Sequence, residues 1–410
     1  MRRPIRHVTG AAAILAVAVA ASLTLSPSSL ETGVLPADPA TPGPSTALPA
    51  NTGTPGQTDA TELPDALWPA PHGGDGGSAR PVDLLPLSQA DAAALQAAVD
   101  RARATFGLNA LAIGVAADSQ LGWSGASGLA PDGRTPLTGA SPFAIASVTK
   151  TFTAAIVMQL AEEGRVRLDA QVTDYLPGLS VADGVTVRQL LSHTSGIADL
   201  LEPMRDRLNA EPSRIWTPAE VVAQVGPPRF APGTDWGYSN TNYVIAGMLI
   251  EAVTGNSFGL ELERRITGPL ALVRTRIPPG PDFGYMLGAS WTSAFSTSAA
   301  LVSTATDLVR WGDALYSGAF LRPGSLRQML AFSDDGYGLG TEHYLVRGEE
   351  GYGHSGLLRG YTTLLIHLPD SDLTIAVLAR GHLFGPTNLL TAGTPGAPSI
   401  LDVALGIATD

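Results

Sequence analysis

Along this chain the hydrophobic and polar positions change period several times, and each change marks an element. Residues Ala11–Leu25 form an apolar run behind Arg2, Arg3 and Arg6, the arrangement of an export signal or membrane anchor. From Ser26 to Pro86 the pattern loses its period. Pro, Thr, Gly, Ala and Ser dominate there, and such a stretch buries too little surface to offset its ordering entropy. The expected organisation is export signal or membrane anchor at 1–25, disordered linker at 26–86, and one folded domain at 87–410.

Within that domain, LSQADAAALQAAVDRARATFG predicts a helix with Ser88 as N-cap and Gly107 just past its end. Ala110–Asp118 and the following LGWSGASGLA predict a two-strand hairpin. Ser147 to Glu163, closed by Gly164, is apolar nearly all round through Val148, Phe152, Ile156, Val157 and Leu160. A helix buried in the middle of the domain follows from that. A long helix-and-loop region runs to about Leu330. Then YTTLLIHLP and LTIAVLAR read as two strands, with a last helix near Pro398–Ala408. Strands at both ends with helices between predict an α+β fold. One antiparallel sheet is assembled from the two ends and flanked by N- and C-terminal helices, with an all-α lobe inserted between them.

Composition narrows the partners. The 410 residues are 44% hydrophobic, enough for a sizeable core, and the net charge is -12. With no basic cluster beyond the N-terminus, nucleic acid is not an expected partner, and membrane contact is expected only through an N-terminal anchor. The chain has no Cys, which excludes disulfides and thiolate metal sites. His7, His72, His343, His367 and His382 show no metal-ligand spacing, so neither metal nor cofactor is expected. A monomer acting on a small-molecule or peptide substrate is the expectation.

One residue stands apart from this background. Lys150 is the only lysine among 25 basic residues. A guanidinium stays protonated in proteins, whereas a buried ammonium can give up its proton and act as a base. That requires its pKa to fall by about 3 from ~10.4, roughly 4 kcal/mol, which burial and neighbouring charge can supply. Ser147 lies three residues earlier, on the same helix face and at the helix N-terminus, where free N–H groups favour developing negative charge. A serine in that position is a candidate nucleophile with Lys150 as its base.

Two further motifs supply the remaining parts. Tyr238-Ser239-Asn240 sits in a Pro/Gly loop before an apolar helix. A phenol beside an ammonium is expected to have a lowered pKa, so Tyr238 can take the serine proton and hand it to a leaving group, while Asn240 holds a substrate amide. His354-Ser355-Gly356 is expected on or beside an edge strand, along which an extended substrate pairs with main chain. The backbone N–H groups of Ser147 and Leu357 then form an oxyanion hole, each donor typically worth ~3 kcal/mol. His193 and Trp236 are expected to be structural.

The ordered set Ser147-Val148-Thr149-Lys150, Tyr238-Ser239-Asn240 and His354-Ser355-Gly356 resembles the serine β-lactamase and D,D-peptidase superfamily, in its class C-like branch. Val185–Ile197, Ala300–Gly318 and Asp335–Gly340 also resemble family segments. The resemblance implies Ser147 as acylated nucleophile, Lys150 and Tyr238 as proton-transfer pair, and Asn240 as a substrate and Lys150 contact. His354 stands where many β-lactamases have Lys, which turns the resemblance toward Streptomyces-type D-Ala-D-Ala carboxypeptidases and related D-amino peptidases and esterases. The function it implies is an exported, D-Ala-D-Ala carboxypeptidase-like hydrolase of cell-wall peptides. A class C-like β-lactamase, a carboxylesterase and a non-catalytic penicillin-binding receptor are the alternatives. Two positions depart from the carboxypeptidase pattern. Leu357 replaces a usual Thr, and Thr341-Glu342-His343 follow the Gly-Tyr-Gly segment with no Arg until Arg347. Carboxylate recognition is therefore expected to be absent, or rebuilt around Arg347 or Arg359.

Overall fold

Ala110–Ala117 is buried at all of its positions, so the strand it forms must be covered on both faces. The computed structural model describes residues 85–118, 121–278, 288–381, 385–393 and 397–409. The expected export segment and residues 26–84 of the expected linker lie outside them. The strands are β1 Leu85–Pro86, β2 Ala110–Ala117, β3 Leu121–Gly128, β4 Phe143–Ala144, β5 Val302–Ser303, β6 Glu342–Val346, β7 Glu349–Leu358, β8 Tyr361–Leu368 and β9 Leu373–Arg380. The helices that matter here are α1 Gln89–Thr105, α2 Thr149–Glu162, α3 Asn240–Thr254, α4 Ala289–Ala299, α5 Ala305–Tyr316 and α6 Ile400–Thr409.

Seven strands form one sheet in the order β1-β3-β2-β9-β8-β7-β6. Strands from the two ends of the expected folded domain meet where β2 pairs antiparallel with β9, from Ala110 opposite Arg380 to Ala117 opposite Leu373. The sheet is antiparallel except at its margin. There Leu85 and Pro86, which the sequence places in the linker, pair parallel with Leu121 and Gly122.

Alternation along β2 sorts its side chains onto two faces. Leu111, Ile113 and Val115 join Leu95 and Val99 of α1 and Leu401 and Ala404 of α6 in one apolar cluster. The opposite face takes α5, and Gly114 is the point of contact. A Cβ there would stand 2.4 Å from the Ala305 carbonyl oxygen, so only glycine lets helix and strand approach this closely.

The helical part between β3 and β6 is organised around α2, whose run from Thr149 to Met158 is buried. Phe152 stacks on Trp311 of α5 at 4.4 Å between ring centres, which joins α2 to the sheet. The short β4–β5 pair, Phe143 opposite Ser303, fixes the chain just before α2. At the far edge β6 covers β7 only from Glu349 to Gly353, while β8 pairs with β7 from Tyr352 to Leu358. The triplet His354-Ser355-Gly356 is therefore not in the outermost strand. It occupies the part of the penultimate strand that β6 leaves uncovered.

Candidate active site

Ser147 lies in a 3-10 turn, Ala146–Val148, that leads into α2. The sequence placed it at the first turn of an α-helix. The tighter winding arises at Ala146, whose φ of 47 is left-handed and unusual for a residue with a side chain. The turn leaves Ser147 half-buried, and Lys150, one helical turn on, is fully buried.

The Lys150 amine meets three oxygens. Nζ lies 2.8 Å from Asn240 Oδ1, 3.0 Å from the Ser298 carbonyl and 3.1 Å from Ser147 Oγ. The Ser298 carbonyl is delivered by a break in α4 at Ser296, where φ is 24 and ψ -108. Burial lowers the Lys150 pKa to about 7, against the raising effect of the Asp199 and Glu342 charges.

Tyr238 O–H donates to Ser147 Oγ at 2.8 Å. Its expected acidity is reversed: burial pushes the phenol well above its ordinary value, and the carboxylates of Glu342 and Asp199 add to the rise. Near neutrality Tyr238 stays protonated, and the amine is the more available base. His193 supports the phenol from behind, its ring 4.3 Å from that of Tyr238. The His193 Nδ1 accepts the Ser239 N–H at 3.2 Å, and among the described contacts the ring does not reach Ser147.

Asn240 is oriented by a residue that no motif flagged. Asp199 Oδ2 accepts both the Asn240 backbone N–H, at 2.5 Å, and its Nδ2–H, at 2.9 Å. This leaves the Asn240 Oδ1 turned toward Lys150. Asp199 directly follows the segment Val185–Ile197 and Ala198, which is the one sequence signal that pointed near it.

On β7, Gly356 is required by contact. A Cβ there would lie 2.6 Å from the Ile145 carbonyl oxygen and 3.0 Å from Ala146 Cβ, so glycine brings the strand against the Ser147 turn. Thr363 Oγ1 donates to the same Ile145 carbonyl at 2.8 Å. The Ser355 N–H points away from β8 toward Glu342 Oε2, at 2.9 Å. By the two-residue alternation of a strand, the Leu357 N–H points to that same open side, where Ser147 lies.

His354 is buried, with Nδ1 2.5 Å from the Ser355 carbonyl and Nε2 2.9 Å from Tyr337 O–H. A carbonyl only accepts, so Nδ1 carries the proton and Nε2 accepts from Tyr337. Burial lowers the His354 pKa; the ring is a neutral strut rather than a replacement for a lysine charge. Tyr337, in the segment Asp335–Gly340, and Glu342 complete the set of residues that sequence motifs did not assign. Both arginines expected to bind a carboxylate have other partners. Arg347 is paired with Asp402, and Arg359 donates to Asn209 at 2.9 Å and lies over the Trp291 ring. Among the described residues no group of three or more His, Cys, Asp or Glu is placed to hold a metal ion.

A hydroxyl held between an amine of lowered pKa and a protonated phenol can act as a nucleophile. A family model described as Beta-lactamase matches residues 95–387. The chain is 30% identical to Penicillin-binding protein 4 of Amycolatopsis lactamdurans over 59% of its own length and 72% of that protein's. It is 26% identical to a D-aminopeptidase of Cereibacter sphaeroides over 72% of its length, spanning 59% of that relative. A D-stereospecific amidohydrolase from Streptomyces sp. superposes with a TM-score of 0.64 at 29% identity, covering 73% of this chain and 98% of that one. An octameric penicillin-binding protein homologue from Pyrococcus abyssi, at 23% identity and TM-score 0.62, shares the fold.

Proposed function

The chain belongs to the β-lactamase family, and we propose that within it this protein is a serine hydrolase that forms an acyl-enzyme on Ser147 and cleaves amide bonds on the carbonyl side of a D-amino acid. The expected D-Ala-D-Ala carboxypeptidase is one member of that class. The D-aminopeptidase and D-stereospecific amidohydrolase among the similar proteins support the class as a whole.

The observation that carries the reading is the coordination of one nitrogen. A neutral amine has two hydrogens and one lone pair. Around Lys150 Nζ there are two carbonyl oxygens, Asn240 Oδ1 and Ser298 O, and one hydroxyl, Ser147 Oγ. The two hydrogens go to the two carbonyls, and the lone pair is left facing the serine O–H. Tyr238, donating to Ser147 Oγ, keeps that hydrogen directed at the amine.

In the first step Lys150 takes the Ser147 proton as Oγ bonds to the substrate carbonyl carbon. The carbonyl oxygen becomes an oxyanion facing the N–H groups of Ser147 and Leu357. Collapse breaks the carbon–nitrogen bond, and the leaving nitrogen takes a proton from Tyr238, which the Lys150 ammonium restores. Water then attacks the ester carbonyl, giving its proton back through the same pair, and releases the acid and free Ser147.

Intact mass measured after benzylpenicillin treatment tests the acyl-enzyme. Wild type is expected to gain one drug mass on Ser147, and Ser147→Ala to gain none and to lose about 10³-fold or more in kcat/KM on a D-aminoacyl amide. An unmodified wild type, or an adduct that persists in Ser147→Ala, would reject the proposal.

A further inference from the structure

An antiparallel substrate on the uncovered edge of β7 would lie in the same lane as β6. β6 itself runs antiparallel to β7 and starts with Glu342 opposite Gly353. A chain entering at Leu357 and running toward Ser355 would therefore point its C-terminal end at Glu342. With its reacting carbonyl at the Leu357 N–H, the residue after the cleaved bond falls beside Gly356, one strand step of about 3.4 Å on, and its terminal carboxylate reaches toward Ser355.

Ser355 is the natural place to receive a substrate carboxylate, with one N–H and one O–H toward the open edge. Both are already taken. The N–H donates to Glu342 Oε2 at 2.9 Å, and the hydroxyl to Oε1 at 3.2 Å. Tyr344 O–H donates to Oε2 as well, and His354 Nδ1 lies 3.6 Å from Oε1. The Glu342 side chain is 23% exposed, so it is not sealed from solvent. Its charge is felt at both Lys150 and Tyr238.

We propose that Glu342 is the leaving-group specificity determinant. Its carboxylate fills the donors that a substrate carboxylate would use, so the protein discriminates against peptides with a free C-terminal carboxylate next to the cleaved bond and acts on D-aminoacyl amides. Rejection has two parts: a second carboxylate finds the Ser355 donors occupied, and it faces a like charge. This rests on the acyl-enzyme reading above and narrows its substrate class.

The test uses N-acetyl-D-Ala-D-Ala and its C-terminal amide, which share one scissile bond and differ only in the terminal charge. Wild type is expected to prefer the amide by about 100-fold in kcat/KM, Glu342→Gln by less than about 10-fold, and Glu342→Arg to prefer the acid. Equal rates in wild type overturn the assignment without any variant, so it stays testable if a substitution prevents folding. An undiminished preference in Glu342→Gln, with penicillin acylation of Ser147 intact, overturns it too. In both cases the Ser147 adduct persists and the acyl-enzyme reading stands; if no probe acylates Ser147, both readings fall.

Discussion

Lys150 is fully buried, and the loss of water around it disfavours its charged form. Of its three contacts, two are carbonyl oxygens and the third is a hydroxyl already receiving a hydrogen from Tyr238. With the pKa lowered to about 7 by burial, the working form is the neutral amine. Activity should therefore rise with pH along an acid limb centred near 7, because the base is lost as protons return below that value. The kcat/KM profile for acylation checks this. Lys150→Arg should lose activity at every pH in that range, since a guanidinium does not give up its proton. Asp199 adds a second reading of the same limb. Its charge raises the Lys150 pKa, so Asp199→Asn should move the limb to lower pH. The variant keeps an acceptor for Asn240 but loses the charge and the acceptor for the Leu201 N–H, which Asp199 Oδ1 holds at 2.7 Å. A limb that stays in place or moves upward would show that the Asp199 charge does not set the base.

The elements meet at Gly356, where β7 touches the Ser147 turn. Gly356→Val would drive a side chain against the Ile145 carbonyl and Thr363 Oγ1, and separating the strand from the turn would spread the two proposed oxyanion donors. The expected result is a loss of about 1–3 kcal/mol in urea unfolding, together with loss of penicillin acylation. A variant that keeps wild-type acylation would remove the Leu357 N–H from the account. Much of this arrangement was legible beforehand. Ser147, Lys150, Tyr238, Asn240 and His354 stood in short ordered motifs, and α1, β2, β3, β8, β9 and α6 follow from plain periodicity. What was not legible depends on tertiary proximity. Asp199 and Glu342 act on residues 41 and 13 positions away, and although family-like segments lie beside both, nothing local gives either its partner. The glycines in GYGHSG dilute the alternation of β7, and the expected acidity of Tyr238 failed because its burial by surrounding residues outweighs one nearby amine.

At the scale of the whole molecule, α2 is secured at its far end by a buried cation. Arg265 donates to Glu261 Oε2 at 2.5 Å and to Glu163 Oε1, next to the end of α2, at 2.5 Å. Burial would raise the Glu261 carboxyl, but its bonds to Arg264, Asn256 and Arg265 outweigh that and hold it down at about 2. Its folded pKa is thus depressed, so the stabilisation is present above the ordinary value near 4.5 and is lost as pH falls toward 2. Arg265→Met leaves a buried carboxylate short of its cation. It should cost about 3–5 kcal/mol in urea unfolding at neutral pH. Acid unfolding should also begin at a higher pH than in wild type. Unchanged curves would mean that Arg264 alone satisfies Glu261.

A chain with a single lysine also offers a spectroscopic handle. Protein grown with isotopically labelled lysine would give one side-chain ammonium or amine resonance, because Lys150 is the sole source. Its chemical shift would report directly, without substrate or inhibitor, what fraction of molecules holds the proton at each acidity.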